Sequence, residues 1–215
     1  MAGKSSLLKR AASMEAAMWR SLFHWARRKP VTLAPDEEAF GYLGVVKPIL
    51  GVFLVLSVVE IPVLDLIIKH VVPWTPARWI MLAISIWGLL WMLGLLASLK
   101  LNPHVVGNAG IRVRNGAGPD FVLPWHDVAS VSKGYRTMPS SKGVQFEDDQ
   151  GRRVLHIVVG AQTSVDVRLR QPLTLTLPTG ESEPVEEVRL YADDPDAFVR
   201  KARGLVPAVT DASEG

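Results

Sequence analysis

The sequence predicts an α+β membrane protein, a two-helix transmembrane hairpin followed by an antiparallel β-sandwich or barrel that a C-terminal helix caps. Three observations predict it. From Trp79 to Leu99 about twenty-one residues carry no charge, enough to cross a bilayer as a helix. A second apolar block, Tyr42 to Val72, precedes it at close range. Beyond Lys100 short β-rich runs alternate with Gly, Asn and Asp turn signals. On this reading the 215 residues divide into a basic amphipathic helix (1–30), a connector with the hairpin (31–101, spans at 45–72 and 79–99), a β domain with its helix (102–204) and a tail (205–215).

The basicity of the chain is local. Lys4, Lys9, Arg10, Arg20, Arg27, Arg28 and Lys29 stand against Glu15 alone, so the first thirty residues carry about +6 of a net charge of +3. Beside a bilayer, such a segment answers anionic lipid headgroups rather than nucleic acid. As a helix it places Leu7, Leu8, Ala11, Met14, Met18, Trp19, Leu22 and Trp25 on one arc, with Lys9, Arg20, His24 and Arg27 opposite. An interfacial helix is expected, its rings in the acyl boundary and Lys9, Arg20, Arg27, Arg28 and Lys29 on phosphates. Pro30 ends it, and Val31 to Phe40 reads as a connector in which Asp36 caps the helix that follows.

The first span is the less uniform one. Ile49 to Val59 is uninterrupted, after which Glu60, Pro62, Asp65 and Lys69 appear. Pro73-Trp74-Thr75-Pro76 suits a tight interfacial turn, and the counts of Lys and Arg before, between and after the spans place both termini in the cytoplasm. Glu60 then falls about 15 Å below the outer turn, where a carboxylate needs a partner. The hairpin register puts Trp87 and Trp91 at its level, so an indole N–H is the expected donor, while Asp65 and Lys69 stand at i and i+4 for a local ion pair. Such an acid either glues protomers together or belongs to an ion path.

In the β region, runs start at His104, Ile111, Phe121, Val128, Val144, Val154, Val165, Leu173 and Val185. Asn108-Ala109-Gly110, Asn115-Gly116, Asp149-Gln150-Gly151 and Thr179-Gly180 supply hairpin turns, so an antiparallel meander is expected. Val165, Val167 and Leu169 alternate with Asp166, Arg168 and Arg170, as in a half-buried strand. Asp194-Pro195 opens a last helix that runs to about Arg203, with Ala197, Phe198 and Ala202 toward the sheet.

Short antiparallel strands closed by one helix follow the order of the pleckstrin-homology fold. In N-P-H-V-V-G-N-A-G-I-R-V-R-N-G (102–116), L-P-W-H-D-V-A-S-V (123–131) and D-D-P-D-A-F-V-R (193–200) the chain resembles bacterial PH-like domains that follow a two-helix membrane hairpin. The resemblance covers about Leu99 to Arg203 and implies a cytoplasmic scaffold on a membrane anchor. It transfers no catalytic residue. Lys100 with Arg112-Val113-Arg114 matches a loose phosphoinositide string, but alternation with Ile111 makes a solvated charged edge the expectation.

Catalytic chemistry finds no pattern to stand on. Cysteine is absent, which excludes disulfides and thiolate chemistry. His104, His126, Asp127 and His156 lack metal-ligand spacing, and no phosphate loop, dinucleotide fingerprint or nucleophile elbow occurs. The expectation is a non-enzymatic bacterial membrane protein without cofactor or metal. Its partners would be anionic lipids, and a protein or second copy reached through the β domain, not nucleic acid. The alternative is a small oligomeric transporter or channel component that uses Glu60.

Overall fold

Apolar length makes one part of the chain helical, and β-branched alternation makes the other part sheet. The computed structural model describes residues 2–28, 32–71 and 75–207. It divides the chain into a helical unit, Met1–Val31 with Gly44–Leu101, and a β unit, Thr32–Leu43 with Asn102–Gly215.

Helices α1 (Ala2–Ala26), α2 (Lys47–Val71) and α3 (Thr75–Leu101) form the helical unit. Both α2 and α3 are long and apolar enough to cross a membrane. No residue of α2 is buried, and α3 buries only Gly94, Ala97 and Ser98, so their large side chains face outward as they would toward lipid. The first span is one continuous helix through Glu60, Pro62, Asp65 and Lys69. A helix satisfies its own main-chain groups, so side-chain polarity alone does not end it.

Toward α3, helix α2 turns Leu54, Ser57, Ile61, Leu64 and Ile68, which are half-buried at steps of three and four residues. On another side of α3 lies α1. Met18 is buried there because Gly94 has no side chain to hold it off; a Cβ at Gly94 would come within 3.3 Å of Met18 Cγ. Leu22 reaches the same glycine, and the Trp19 and Trp87 rings lie 5.0 Å apart. Small residues at Gly94, Ala97 and Ser98 thus do what they do in helix pairs generally, letting a neighbour approach closely. Part of the apolar arc of α1 is therefore taken up by a helix of the same unit.

The β unit begins before the hairpin. Strand β1 (Glu38–Phe40) pairs with β2 (His104–Gly107), so the stretch expected to be a connector is an edge strand. Asp36 caps no helix. Its carboxylate accepts the Asn108 N–H at 2.9 Å, in the turn that leads to β3 (Gly110–Arg114), and that hydrogen bond holds Asp36 below the usual carboxylate range. With β4 (Asp120–Leu123) these strands form an antiparallel sheet in the order β1-β2-β3-β4. Gly110 is required at its position: its φ is +136°, and a Cβ would strike the Leu123 carbonyl.

A second sheet holds β5 (Val128–Thr137), β6 (Val144–Asp149), β7 (Arg152–Ile157), β8 (Gln162–Leu173) and β11 (Val185–Leu190), with a small hairpin of β9 (Thr176–Leu177) and β10 (Gly180–Glu181) apart from it. The order is β5-β8-β11-β7-β6, and β11 runs parallel to β7. The expected meander is corrected here: the turn residues locate hairpins such as Gln150-Gly151, whose φ values are +53° and +79°. They do not say which strand enters the centre of the sheet. Strand β11 does, buried from Val188 to Leu190, and its charged side chains meet their counter-ions there.

Both sheets and helix α4 (Pro195–Arg203) contribute to one core, with Ile111, Leu123, Val167, Leu190 and Phe198 at its heart. No strand pairing among the described residues closes the sheets into a barrel. As the sequence predicts, Asp194 caps α4 by accepting the Ala197 N–H at 2.9 Å, with proline in the first turn and Phe198 and Ala202 fully buried.

Candidate functional site

Polar side chains that the sequence places in the hairpin come first. Asp65 pairs with Arg78 through two hydrogen bonds of 2.6 and 2.7 Å, rather than with Lys69 on its own helix. Arg78 stands in the first turn of α3, opposite the end of α2, where its planar fork matches the carboxylate on two atoms at once. The pair closes one end of a recess lined by Ile61, Ile68, Met81 and Ser85. Glu60 is exposed, and no hydrogen bond joins it to Trp87 or Trp91. Trp91 is exposed, and Trp87 meets Trp19 of α1, a neighbour that hairpin register alone does not foresee.

Of the basic residues assigned to lipid, Arg20, Arg27 and Arg28 are exposed. Arg27 lies over the Phe23 ring at 3.9 Å and Lys100 near the Trp25 ring at 5.9 Å. Lys29 and the side chain of Lys9 lie outside the described residues, as does Trp74 of the turn.

The β unit holds the denser constellation, on the face of the second sheet turned away from the core. Register lines up Ser132, Asp166, Arg189, His156 and Gln145 across five strands, and Arg168, Glu187, Val154 and Glu147 in the next row. Charges of opposite sign therefore alternate like a checkerboard around β11. Arg189, 3% exposed, donates to Glu187 at 2.5 Å and to Asp149 at 2.6 Å; Arg136 donates to Asp166 at 2.5 Å. The Arg189 guanidinium holds Asp149 below the usual carboxylate range. The second oxygen of Glu187 makes no hydrogen bond, but Arg152 and Arg168 stand 3.6 and 3.7 Å from it. His156 is buried with Nε2 3.0 Å from Glu147; burial, and then the charge of Arg189, push its pKa down.

At the end of this face β8 and β11 part. Their pairing jumps from Arg168–Glu187 to Leu173–Val185, so β8 has three residues more than its partner over that interval. The gap is a cavity of about 190 Å³ lined by Arg152, Arg168, Arg170, Gln171 and Glu186. Chemically it offers guanidinium donors with an acidic rim.

A second buried constellation joins the piece of the β unit that precedes the hairpin to the piece that follows it. The Tyr42 hydroxyl donates to the Asn102 carbonyl and accepts the Gly116 N–H, both at 2.8 Å. Its ring packs on His104 at 4.8 Å, and burial pushes the phenol up to about 12. His104 accepts the Arg114 N–H at Nδ1 and lies 3.0 Å from the Tyr191 carbonyl at Nε2, which makes Nε2 the protonated nitrogen. Burial pushes its pKa down to about 4.

Sequence reasoning names neither constellation. A signal exists for the first: Glu187 and Arg189, opposite charges two apart in V-E-E-V-R-L, share one face of a strand. For the second there is none, since Tyr42 reads as the start of an apolar span.

The remaining candidates stay apart. Arg112 makes a bidentate pair with Asp120 at 2.7 and 2.8 Å, at the edge of a cleft of about 500 Å³ with Phe121, Pro124 and Leu175. His126 is exposed beside Asp127, whose N–H closes a turn on Pro124. Among the described residues no group of three or more His, Asp or Glu is placed to hold a metal ion. Compared with known proteins, the chain matches no family model, no curated protein and no solved structure.

Proposed function

We propose that this chain is a non-enzymatic integral membrane protein of the bacterial cell membrane that presents a PH-like binding or scaffold domain to the cytoplasm, close to the bilayer. One observation carries the reading: the hairpin is an insertion within the β domain. Glu38–Phe40, before α2, pairs in register with His104–Val106, after α3. Only a few residues connect each end of the hairpin to that strand pair, Gly41–Val46 on one side and Asn102–Pro103 on the other. A domain tethered through both ends of one β ladder is anchored more tightly than one on a single flexible linker.

The PH-like reading draws support from a four-stranded antiparallel sheet, a second sheet and a closing helix. The parallel β7–β11 pair and the extra strand β1 are its own departures. Support for cytoplasmic placement comes from the Lys and Arg of residues 4–29 and from Lys47 and Lys100 near the β-unit ends of the two helices. The polar constellations pair charges within the domain, and the exposure of Arg20, Arg27 and Arg28 supports anionic lipid as their partner.

A reporter pair fused after Gly215, one active only in the cytoplasm and one only outside it, tests the orientation; an external signal overturns it. Crosslinking of the full-length chain in native membranes tests the binding role. Recovery of a partner protein or lipid on the β domain is expected, and the reading fails if only the chain itself is recovered.

A further inference from the structure

Glu60 stands thirteen residues after the start of α2 at Lys47 and eleven before its end at Val71. It is therefore near the middle of a helix taken to span the bilayer, and a role for it at that depth rests on the spanning reading. Its side chain is exposed, and no described residue gives it a hydrogen bond or ion pair. A carboxyl in hydrocarbon without a partner is costly, whichever state it is in. The cation that the other acid of α2 uses is not free for it, because Arg78 already gives a bidentate pair to Asp65.

The neighbours of Glu60 form a pattern. Phe53, Leu56, Glu60, Val63 and Ile67 follow one another at alternating steps of three and four, the spacing of a helix–helix seam, and all five are exposed. This stripe lies about a quarter turn round α2 from Leu54, Ser57, Ile61, Leu64 and Ile68, which face α3. Packing the hairpin thus leaves a second seam uncovered, with one polar group at its centre.

We propose that this seam joins two copies of the chain, with the two Glu60 carboxyls facing each other across a two-fold axis along the membrane normal. The partner follows from the geometry. In an isologous contact the residue on the axis meets its own image. A second copy inserted with the same topology brings a carboxyl to the same depth and pitch, which an unrelated helix does only by coincidence. A carboxyl that keeps its proton is donor and acceptor at once, so two of them satisfy each other, and no fixed counter-charge is needed. The apolar residues on either side supply the packing that holds the pair in register.

Because the chain has no cysteine, single substitutions report contacts without background. Leu56→Cys and Val63→Cys lie on the seam, and Gly51→Cys and Val58→Cys lie on the opposite side of the same helix, with open space at Gly51 and an exposed side chain at Val58. In membranes carrying the full-length chain, mild oxidation should give disulfide dimers at the first two positions at least about tenfold more readily than at the second two. Adding Glu60→Leu should lower the seam yield about tenfold, the effect of one interhelical hydrogen bond, whereas Glu60→Gln, still donor and acceptor, should keep most of it. Every sample is first washed at alkaline pH. A chain that washes off the membrane overturns the spanning reading together with the pairing. A chain that stays, yet crosslinks equally on both sides or dimerises as well with Glu60→Leu, overturns the pairing alone.

Discussion

Two glutamates show how differently the halves of this chain treat charge. Glu187, 2% exposed on the central strand of the second sheet, has Arg189 at 2.5 Å and two further guanidiniums within 4 Å. Glu60, exposed near the middle of α2, has no partner among the described residues. The β unit answers its buried charges from within: Asp166, Glu187 and Arg189 each sit within hydrogen-bond reach of an opposite charge. Of the two carboxylates within the spans, only Asp65 is answered, by Arg78. A buried charge left alone destabilises a fold by several kcal/mol in general. The difference therefore separates a unit finished by its own chain from one that leaves work to its surroundings.

The sharpest way to break this contrast is to make the β unit incomplete. Arg189→Ala leaves the buried Glu187 without its closest partner and also releases Asp149. A loss of about 4 kcal/mol in unfolding free energy is expected, the size found when one member of a buried ion pair is removed. Denaturant unfolding of the detergent-solubilised protein measures it. A loss below about 1 kcal/mol would mean that Glu187 does not depend on Arg189, and the contrast with Glu60 would then rest on Arg152 and Arg168 alone.

Acid attacks the same completeness at another point. The unfolded chain protonates His104 near the ordinary 6.5, while burial makes the folded chain resist until about 4. The stability that this histidine contributes is whole above pH 6.5 and declines as pH falls toward 4, by about 3 kcal/mol over that window. His156, pushed down as well, adds to the slope. Comparing His104→Gln with the parent isolates the first part: the variant should lose stability less steeply between pH 6.5 and 4, and equal slopes would refute the assignment.

Next in size is Tyr42→Phe. It keeps the ring on His104 but deletes the hydroxyl that accepts from Gly116 and donates to Asn102. About 2 kcal/mol should be lost, because a part-buried N–H and a carbonyl both lose the hydroxyl that pairs them. Thermal unfolding of parent and variant checks it. Since Tyr42 ties the residues before the hairpin to those after it, the variant should also expose the β1 segment to protease first.

Legibility in the sequence divides along the same line. Local physics is legible: the uncharged run at Trp79–Leu99, the Asp194-Pro195 cap and the Gln150-Gly151 turn each act over a few residues and leave a mark in the sequence. Relations between distant segments are not. Glu38–Phe40 is too short to declare itself a strand until β2 is there to pair with it. The entry of β11 between β7 and β8, which sets Glu187 beside Arg152 and Arg168, is a property of three strands together. Trp87 looks available to Glu60 because nothing in α3 itself reveals that Trp19 occupies its ring. Asp65 reads with Lys69, four residues on, for the same reason: the better partner, Arg78, lies across the turn.

The smallest effect sharpens the comparison from the other side. Arg112 and Asp120 make a bidentate pair of good geometry, and their hydrogen bonds hold Asp120 below the usual carboxylate range. Both side chains are nevertheless 45–46% exposed, so water competes for each and salt screens what remains. Arg112→Gln should change unfolding free energy by no more than about 0.5 kcal/mol, and that change should shrink further at high ionic strength. Measured beside Arg189→Ala, it holds the number of hydrogen bonds nearly constant while varying burial. If the two variants lost comparable stability, bond count rather than desolvation would govern the β unit, and the exposure of Glu60 would cease to mark the helical unit as unfinished.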